Sequence, residues 1–232
     1  MSKKMLEVCT LFAGPSLHGV DRELLSTGVV LRPPVKRGDI ERLVKESSPS
    51  NLAIVDGVFH AHPAVGHAEI LEAVRAGWRI WGLSSMGAIR ACEMDKLGMI
   101  GFGEVYRQFA GDPDMSDDEV TLMHQAETPF YSLSEPLIHI RVFLRNCNAK
   151  GLITLEQEHK IISLLKNMWY GYRTLETLEN ALLDLDIKKP RIDQALYNFS
   201  TCRIKNLDLI DFLTSQPWKR NIKSNVTNRD IP

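Results

Sequence analysis

Short apolar runs alternate with helical segments through the first hundred residues, and this alternation constrains the fold more than any other feature of the chain. The apolar runs cover residues 7–14, 28–32, 51–57 and 79–85, and most of them end in Gly, Asp or Ser. Segments with helical spacing lie at 17–26, 40–46 and 64–77. Because consecutive strands joined by helices pair in parallel, the pattern predicts an α/β fold with a mainly parallel sheet flanked by helices.

Beyond about residue 131 the character of the sequence changes. The apolar residues then recur at helical spacing in four successive runs, at 132–146, 154–172, 174–185 and 206–215. The last residues lack apolar periodicity, which is typical of a tail. We therefore predict an α/β core at 1–131, a helical subdomain at 132–216 that packs on or beside the sheet, and a flexible tail at 217–232.

Composition excludes several classes of partner and location. The 28 basic and 29 acidic residues give a net charge of -1, so nothing indicates nucleic acid or an anionic membrane as the main partner. No apolar run approaches the ~18 residues that a membrane span requires. The four cysteines are isolated and lack the CxxC spacing of metal or redox sites, which favours a reduced, cytoplasmic protein.

Four loops follow the predicted strands, at 14–19, 32–39, 56–63 and 82–88. In open parallel sheets, ligands bind where the carboxyl ends of the strands meet the loops. We therefore expect the strand ends at Gly14, Asp56 and Gly82 to lie side by side. The two prolines of 32–39 stiffen that loop, which presents Lys36 on the same rim.

Two of the motifs have both a functional and a structural interpretation. The loop 14–19 either cradles a phosphate on its backbone N–H groups or is a turn with Ser16 as a helix cap. The acidic stretch 114–120 suits either Mg²⁺ or the first turn of a helix, and capping is favoured.

Histidines concentrate in one of these loops. His60, His62 and His67, with Glu69 close behind, form a candidate zinc set, but His67 and Glu69 are expected to begin a helix while the other two lie in the preceding loop. We therefore expect no metal ion and no cofactor.

The stretch GLSSMGA, residues 82–88, places two hydroxyls where an apolar run meets a helix. A nucleophilic serine needs a sharp strand-to-helix turn that exposes its hydroxyl and directs backbone N–H groups at a developing oxyanion. The segment does not match Gly-x-Ser-x-Gly, but Ser-Met-Gly-Ala at 85–88 is similar to the nucleophile segment of Clp-type serine peptidases. The structural alternative is that Ser84 or Ser85 only caps the helix. No Ser-His-Asp order is present, which leaves the base open; a lysine serves if burial lowers its pKa.

Four ordered segments resemble the TfuA-like family. They are DGVFHAHPAVGHAEIL, GLSSMGAIRACEM, LGMIGFGEVYRQFAGDP and DDEVTLMH. The resemblance runs from about residue 53 to residue 124 and extends weakly to 134–141. Their order makes the match more specific than any one segment alone.

The resemblance implies a function in sulfur chemistry. TfuA-like proteins act beside YcaO enzymes, which use ATP to activate a backbone amide so that its oxygen is exchanged for sulfur. The implied activity is hydrolysis of the thiocarboxylated C-terminus of a small ubiquitin-like sulfur carrier, which releases sulfide for YcaO. A Ser–Lys pair and a role in binding YcaO and its precursor peptide are implied as well.

On this basis we predict Ser85 as the nucleophile, with the N–H groups of Met86 and Gly87 as the oxyanion site. Relatives often carry Lys where this chain has Ala68, so Lys36 on the adjacent loop is our predicted base. The remaining residues that we predict to support the site are Ser84, Asp56, His67, Glu69, Arg90 and Glu93.

Charged segments add one further expectation. We predict that the acidic run 117–119 and the basic loop 32–37 face the cleft or a protein partner. Two other functions stay open: a non-catalytic partner that docks YcaO, and an unrelated Ser or metal hydrolase.

Overall fold

A computed structural model describes residues 8–26, 28–58 and 62–219. Its sheet has five parallel strands in the order β2-β1-β3-β4-β5. They are β1 Cys9–Phe12, β2 Val29–Arg32, β3 Asn51–Ile54, β4 Arg79–Gly82 and β5 Ile100–Gly101. The predicted α/β fold with a mainly parallel sheet and a helical C-terminal part is confirmed.

Nine α-helices lie within the described ranges. They are α1 Asp39–Glu46, α2 His67–Arg75, α3 Met86–Met94, α4 Gly103–Gly111, α5 Leu137–Ala149, α6 Leu155–Lys166, α7 Leu175–Leu183, α8 Lys189–Tyr197 and α9 Ile204–Ser215. In these parts of the chain, every helix is too short or too polar to cross a bilayer.

Two local predictions differ from the structure. The segment 17–26 is not an α-helix: short 3₁₀ turns at Pro15–Leu17 and Arg22–Leu25 are separated by Gly19, whose φ of 78° interrupts any helix. The strand β5 was not predicted, because a two-residue strand leaves no period-two pattern to detect.

The two faces of the sheet are covered by different parts of the sequence. On one face, α1, α2 and α3 bury a core that includes Ile40, Ile70 and Met86. On the other face, α9 packs Leu209 and Phe212 against strand residues such as Leu11 and Trp81. Helix α9 therefore belongs to the core of the sheet.

Helices α5 to α8 bury a separate cluster of their own. Residues 217–219, which were predicted to begin a tail, form a 3₁₀ turn, and Trp218 in this turn is fully buried in the core beside α9. The rest of the predicted tail, 220–232, lies outside the described residues.

Candidate functional site

The loops after β1 and β3 are joined by the buried carboxylate of Asp56. It accepts hydrogen bonds from the N–H of Gly14 at 2.8 Å, the N–H of Ser16 at 2.9 Å and the hydroxyl of Ser16 at 2.8 Å. The adjacent β4 pairs in parallel with β3, with Ile54 opposite Gly82. The expected arrangement of these strand ends at one edge of the sheet is thus present. Since Asp56 occupies N–H groups of the first loop, that loop is not organised as a phosphate cradle.

A sharp turn links β4 to α3. Ser84 has a φ of 64°, and the N–H of Ser85 donates to the carbonyl of Leu83 at 2.7 Å. The Ser84 hydroxyl is fully buried and has no hydrogen-bond partner in the described part of the chain. A left-handed conformation at a non-glycine residue is strained, and such strain concentrates at functional turns. The turn therefore has the sharpness that a nucleophilic serine requires.

Gly87 allows α3 to approach the sheet closely. A Cβ at this position would lie 1.7 Å from the carbonyl oxygen of Ile54. The N–H of Gly87 donates to the carbonyl of Val55 at 3.2 Å. It is therefore engaged in holding the helix to β3, and the prediction that it faces an oxyanion is corrected.

Ser85 lines a small cavity of about 40 Å³. The residues around it are Pro15, Asp56, Gly57, Ser85, Val120, Leu122, His124, Tyr170 and Lys205. Ser84 does not line this cavity. The structure therefore brings Ser85 together with Asp56 and with Lys205, a residue that was not predicted from the sequence.

Lys205 enters this cavity from the first turn of α9 and is almost fully buried. Its Nζ donates to the carbonyl of Val120 at 2.9 Å. Burial lowers the pKa of Lys205 below its ordinary value, although the nearby carboxylates of Asp56 and Glu135 oppose this effect. A lysine in such surroundings is a candidate general base.

One signal in the sequence points to Lys205. In α9 it precedes Leu209, Phe212 and Leu213 by four, seven and eight residues, which is the spacing of a buried helical face. A lysine at a core-facing position is rarely without a role, because an unpaired charge there is costly.

The start of α9 is fixed by buried polar contacts. The backbone N–H of Lys205 donates to Nε2 of His139 at 3.3 Å, and Nδ1 of that ring lies 3.0 Å from Glu135. Arg203 donates to the other oxygen of Glu135 at 2.5 and 3.0 Å. Burial lowers the pKa of His139 to about 4, so the ring is neutral and carries its proton on Nδ1. These contacts hold the backbone that carries the Lys205 side chain.

Lys36, the base predicted from the sequence, lies elsewhere. It is exposed and lines a separate, larger cleft beside β2, whereas Ser85 follows β4 on the far side of β1 and β3. Lys36 does not line the Ser85 cavity.

His67, Arg90 and Glu93 form a surface cluster between α2 and α3. Glu93 lies 2.8 Å from Nε2 of His67 and 2.6 Å from Nη1 of Arg90, and Nε of Arg90 donates to the carbonyl of Val65. None of the three lines the Ser85 cavity. Their contacts join two helices.

Glu69 also has a structural role. Its carboxylate accepts from the N–H of Gly66 at 2.8 Å and from the N–H of Gly38 at 3.0 Å, which caps α2 and ties it to the start of α1. Within the described ranges, no three His, Cys, Asp or Glu side chains are grouped to hold a metal ion. His60, from the predicted histidine set, lies outside those ranges.

Two residues of the acidic run 117–119 pair with arginines of the helical part. Glu119 is buried and accepts two hydrogen bonds from Arg141 at 2.7 and 2.8 Å, while Asp118 pairs with the buried Arg173 at 2.5 Å. These carboxylates fix the loop to the helical part of the molecule. The prediction that the run faces a partner does not hold for Asp118 and Glu119.

Comparison with known proteins adds the family. No curated protein matched the sequence. A family model described as TfuA-like protein matches residues 56–174, which is just over half of the 232 residues. The matched range contains Asp56, Ser85 and the loop of His124, whereas Lys205 lies beyond it. This chain belongs to the TfuA-like family.

Proposed function

We propose that this protein supplies sulfide to a YcaO enzyme during peptide backbone thioamidation, by hydrolysing a thiocarboxylated ubiquitin-like sulfur carrier. The observation that carries the proposal is the shared cavity of Ser85 and the buried Lys205. Family membership supports the association with YcaO, which acts on the precursor peptide. The reaction takes place in the cytoplasm, where the four free cysteines stay reduced.

In the first step, Ser85 Oγ attacks the thiocarboxyl carbon while the neutral amine of Lys205 accepts the hydroxyl proton. The resulting tetrahedral species breaks its C–S bond. The sulfur takes the proton from Lys205 and leaves as hydrosulfide, and the acyl group stays on Ser85 as an ester. Because sulfide is a far less basic leaving group than an amine, one lysine is sufficient to serve both transfers.

Backbone N–H groups stabilise the oxyanion in this mechanism. Within the described chain, the N–H groups of Met86 and Gly57 donate no hydrogen bond. Met86 is the first residue of α3, where N–H groups lack intrahelical partners. Gly57 lines the cavity, and a Cβ there would lie 2.7 Å from the Met86 side chain, so the two backbones are close. We assign these two groups to the oxyanion.

In the second step, Lys205 takes a proton from water, and the hydroxide equivalent attacks the ester carbon. The C–O bond to Ser85 breaks, and the serine oxygen recovers a proton from Lys205. The net reaction converts thiocarboxylate and water into carboxylate, hydrosulfide and one proton. No external oxidant or reductant is needed.

Sulfide release from a purified, thiocarboxylated carrier tests the proposal. We expect the wild-type protein to release sulfide while the mass of the carrier falls by the difference between sulfur and oxygen. Ser85→Ala should slow this reaction by at least about a thousandfold, because binding alone does not replace a nucleophile.

Ser84→Ala is the matched control, since it removes a neighbouring hydroxyl that is buried, unpartnered and absent from the cavity lining. It should retain activity. Loss of activity in Ser84→Ala with full activity in Ser85→Ala would reverse the assignment. If the wild-type protein bound YcaO but released no sulfide, the proposed hydrolysis would be refuted in favour of a non-catalytic function in docking YcaO.

A further inference from the structure

A second cavity adjoins the Ser85 cavity along the same edge of the sheet. It is a cleft of about 530 Å³ beside β2 and β1, and His124 lines both spaces. Phe12, Leu43 and Phe130 contribute apolar surface to the cleft, and Arg32, Lys36 and Arg42 contribute positive charge. A volume of this size is typical of sites that hold an organic ligand or a short chain segment.

The loop that carries His124 is held in place where the two spaces meet. The N–H of Gln125 donates to the carbonyl of Tyr131 at 3.0 Å, and the N–H of Leu133 donates to the carbonyl of Met123 at 2.7 Å. The ring of His124 packs edge-on against Phe130, with centroids 5.9 Å apart. The loop 123–133 thus forms a wall that is common to the cleft and the cavity.

Positive charge at the cleft is only partly neutralised. Within the described residues, the exposed side chains of Arg32 and Lys36 form no hydrogen bond or ion pair. Arg42 lies 4.0 Å from Asp39, and Glu46 also lines the cleft. Arg32 at the end of β2 and Lys36 on the loop that follows are therefore available to a negatively charged ligand.

We infer that this cleft binds the extended C-terminal segment of the carrier, with an acidic side chain of that segment held by Arg32 and Lys36. The inference rests on the proposed function. Because the Ser85 cavity of about 40 Å³ holds only the reacting group, the preceding residues of a peptide substrate must lie outside it. The cleft is the adjoining space, and the acyl end passes His124 to reach Ser85.

Direct binding tests the cleft without any chemistry. The probe is a fluorescein-labelled synthetic peptide with the last eight or so residues of the cognate carrier, ending in an ordinary carboxylate. The double variant Arg32→Glu, Lys36→Glu should weaken its binding by about tenfold at low ionic strength, and the difference should shrink as salt is added.

Lys96→Glu is the matched control. Lys96 is exposed and follows α3 at the opposite edge of the sheet, so reversing its charge, which changes the net charge by half as much as the double variant does, should leave binding unchanged. If both variants weakened peptide binding equally, the effect would come from the net charge of the protein, and the inference would be overturned. Unchanged binding in the double variant would overturn it as well.

Kinetics separate the cleft from the reaction. Ala126 lines the cleft and is exposed, so Ala126→Trp should narrow it without disturbing the core. We expect the KM for the thiocarboxylated carrier to rise severalfold with an unchanged kcat, while hydrolysis of thioacetate, which is too small to need the cleft, stays at the wild-type rate. If Ala126→Trp and the double variant still release sulfide with an unchanged KM, the binding role of the cleft is refuted and the proposed function is retained. Peptide binding without sulfide release by the wild-type protein refutes the proposed function alone.

Discussion

A lysine acts as a base only while its amine is neutral, and at Lys205 burial favours that state. The carboxylates of Asp56 and Glu135 oppose the effect, yet both are already engaged. Asp56 accepts three hydrogen bonds from Gly14 and Ser16, and Glu135 accepts from His139 and Arg203. The lowered pKa of Lys205 therefore follows from desolvation.

This state of Lys205 predicts the pH dependence of sulfide release. The rate should rise with pH as the amine loses its proton. It should level off at a pH below 10.5, the pKa of an ordinary lysine. Lys205→Met should abolish kcat, and Lys205→Arg should do the same, because a guanidinium keeps its proton. Circular dichroism of both variants verifies that the fold is intact.

Lys36→Met is the control for this experiment, since Lys36 lines the cleft and not the cavity. It should keep the wild-type kcat, whatever its effect on KM. The opposite result, an inactive Lys36→Met beside an active Lys205→Met, would identify Lys36 as the base.

Among the elements, α9 connects the site to α4 and, through the hydrogen bond of the Lys205 N–H to His139, to α5. Besides carrying Lys205, it caps α4: the carboxylate of Asp208 accepts from the N–H of Glu104 at 2.7 Å and from the N–H of Val105 at 2.9 Å. Gly103 leaves room for this contact, because a Cβ there would lie 2.3 Å from the Asp208 carboxyl carbon. The polar residues of α9 thus fix its position against neighbouring helices.

Removing this cap should destabilise the protein. Asp208→Ala leaves two N–H groups at the start of α4 without an acceptor, and we expect the free energy of unfolding in urea to fall by about 2 kcal/mol. Asp211 is exposed on the same helix, so Asp211→Ala should change the free energy of unfolding by less than about 0.5 kcal/mol. Equal effects of the two substitutions would show that the cap contributes little.

At the scale of the whole molecule, two packed clusters are joined by polar contacts of the buried Glu135. Helices α5 to α8 form one cluster, and α9 forms part of the core of the sheet. The contacts of Glu135 with His139 of α5 and with Arg203 at the start of α9 bridge the two. The stability of the fold therefore depends on the ionisation states of Glu135 and His139.

Acid should destabilise the fold through His139. Burial lowers its pKa from 6.5 to about 4, so between these pH values the unfolded chain binds a proton that the folded chain does not. The free energy of unfolding should therefore fall as the pH decreases from about 6.5 to about 4, by about 3 kcal/mol from this residue. Urea unfolding at a series of pH values measures this slope.

His139→Gln should remove that part of the slope, whereas substitution of the exposed His159 by Gln should leave it unchanged. If His139→Gln does not fold, an NMR titration of the wild-type ring gives the same answer. A His139 that titrates near 6.5 in the folded protein would contradict the prediction.

Local patterns in the sequence were sufficient for the frame of the site. Alternating strands and helices predicted the parallel sheet, and a parallel sheet places its carboxyl ends at one edge, so Asp56 and the turn at Ser85 were expected to be neighbours. The family followed from segments that are continuous in the sequence. Each of these inferences depends on residues that are close together in the chain or on a general rule of sheet topology.

Tertiary structure alone decided which groups surround Ser85. Lys205 is far from Ser85 in the sequence, and its pKa depends on burial among segments that the sequence does not place, such as the loop whose Val120 carbonyl accepts from its Nζ. The same holds for Gly87, whose N–H is taken by Val55, and for Asp118 and Glu119, which pair with arginines of the helical part. A sequence pattern records the type and spacing of side chains. The partner of a hydrogen bond and the loss of water around a charge exist only once distant segments have packed together.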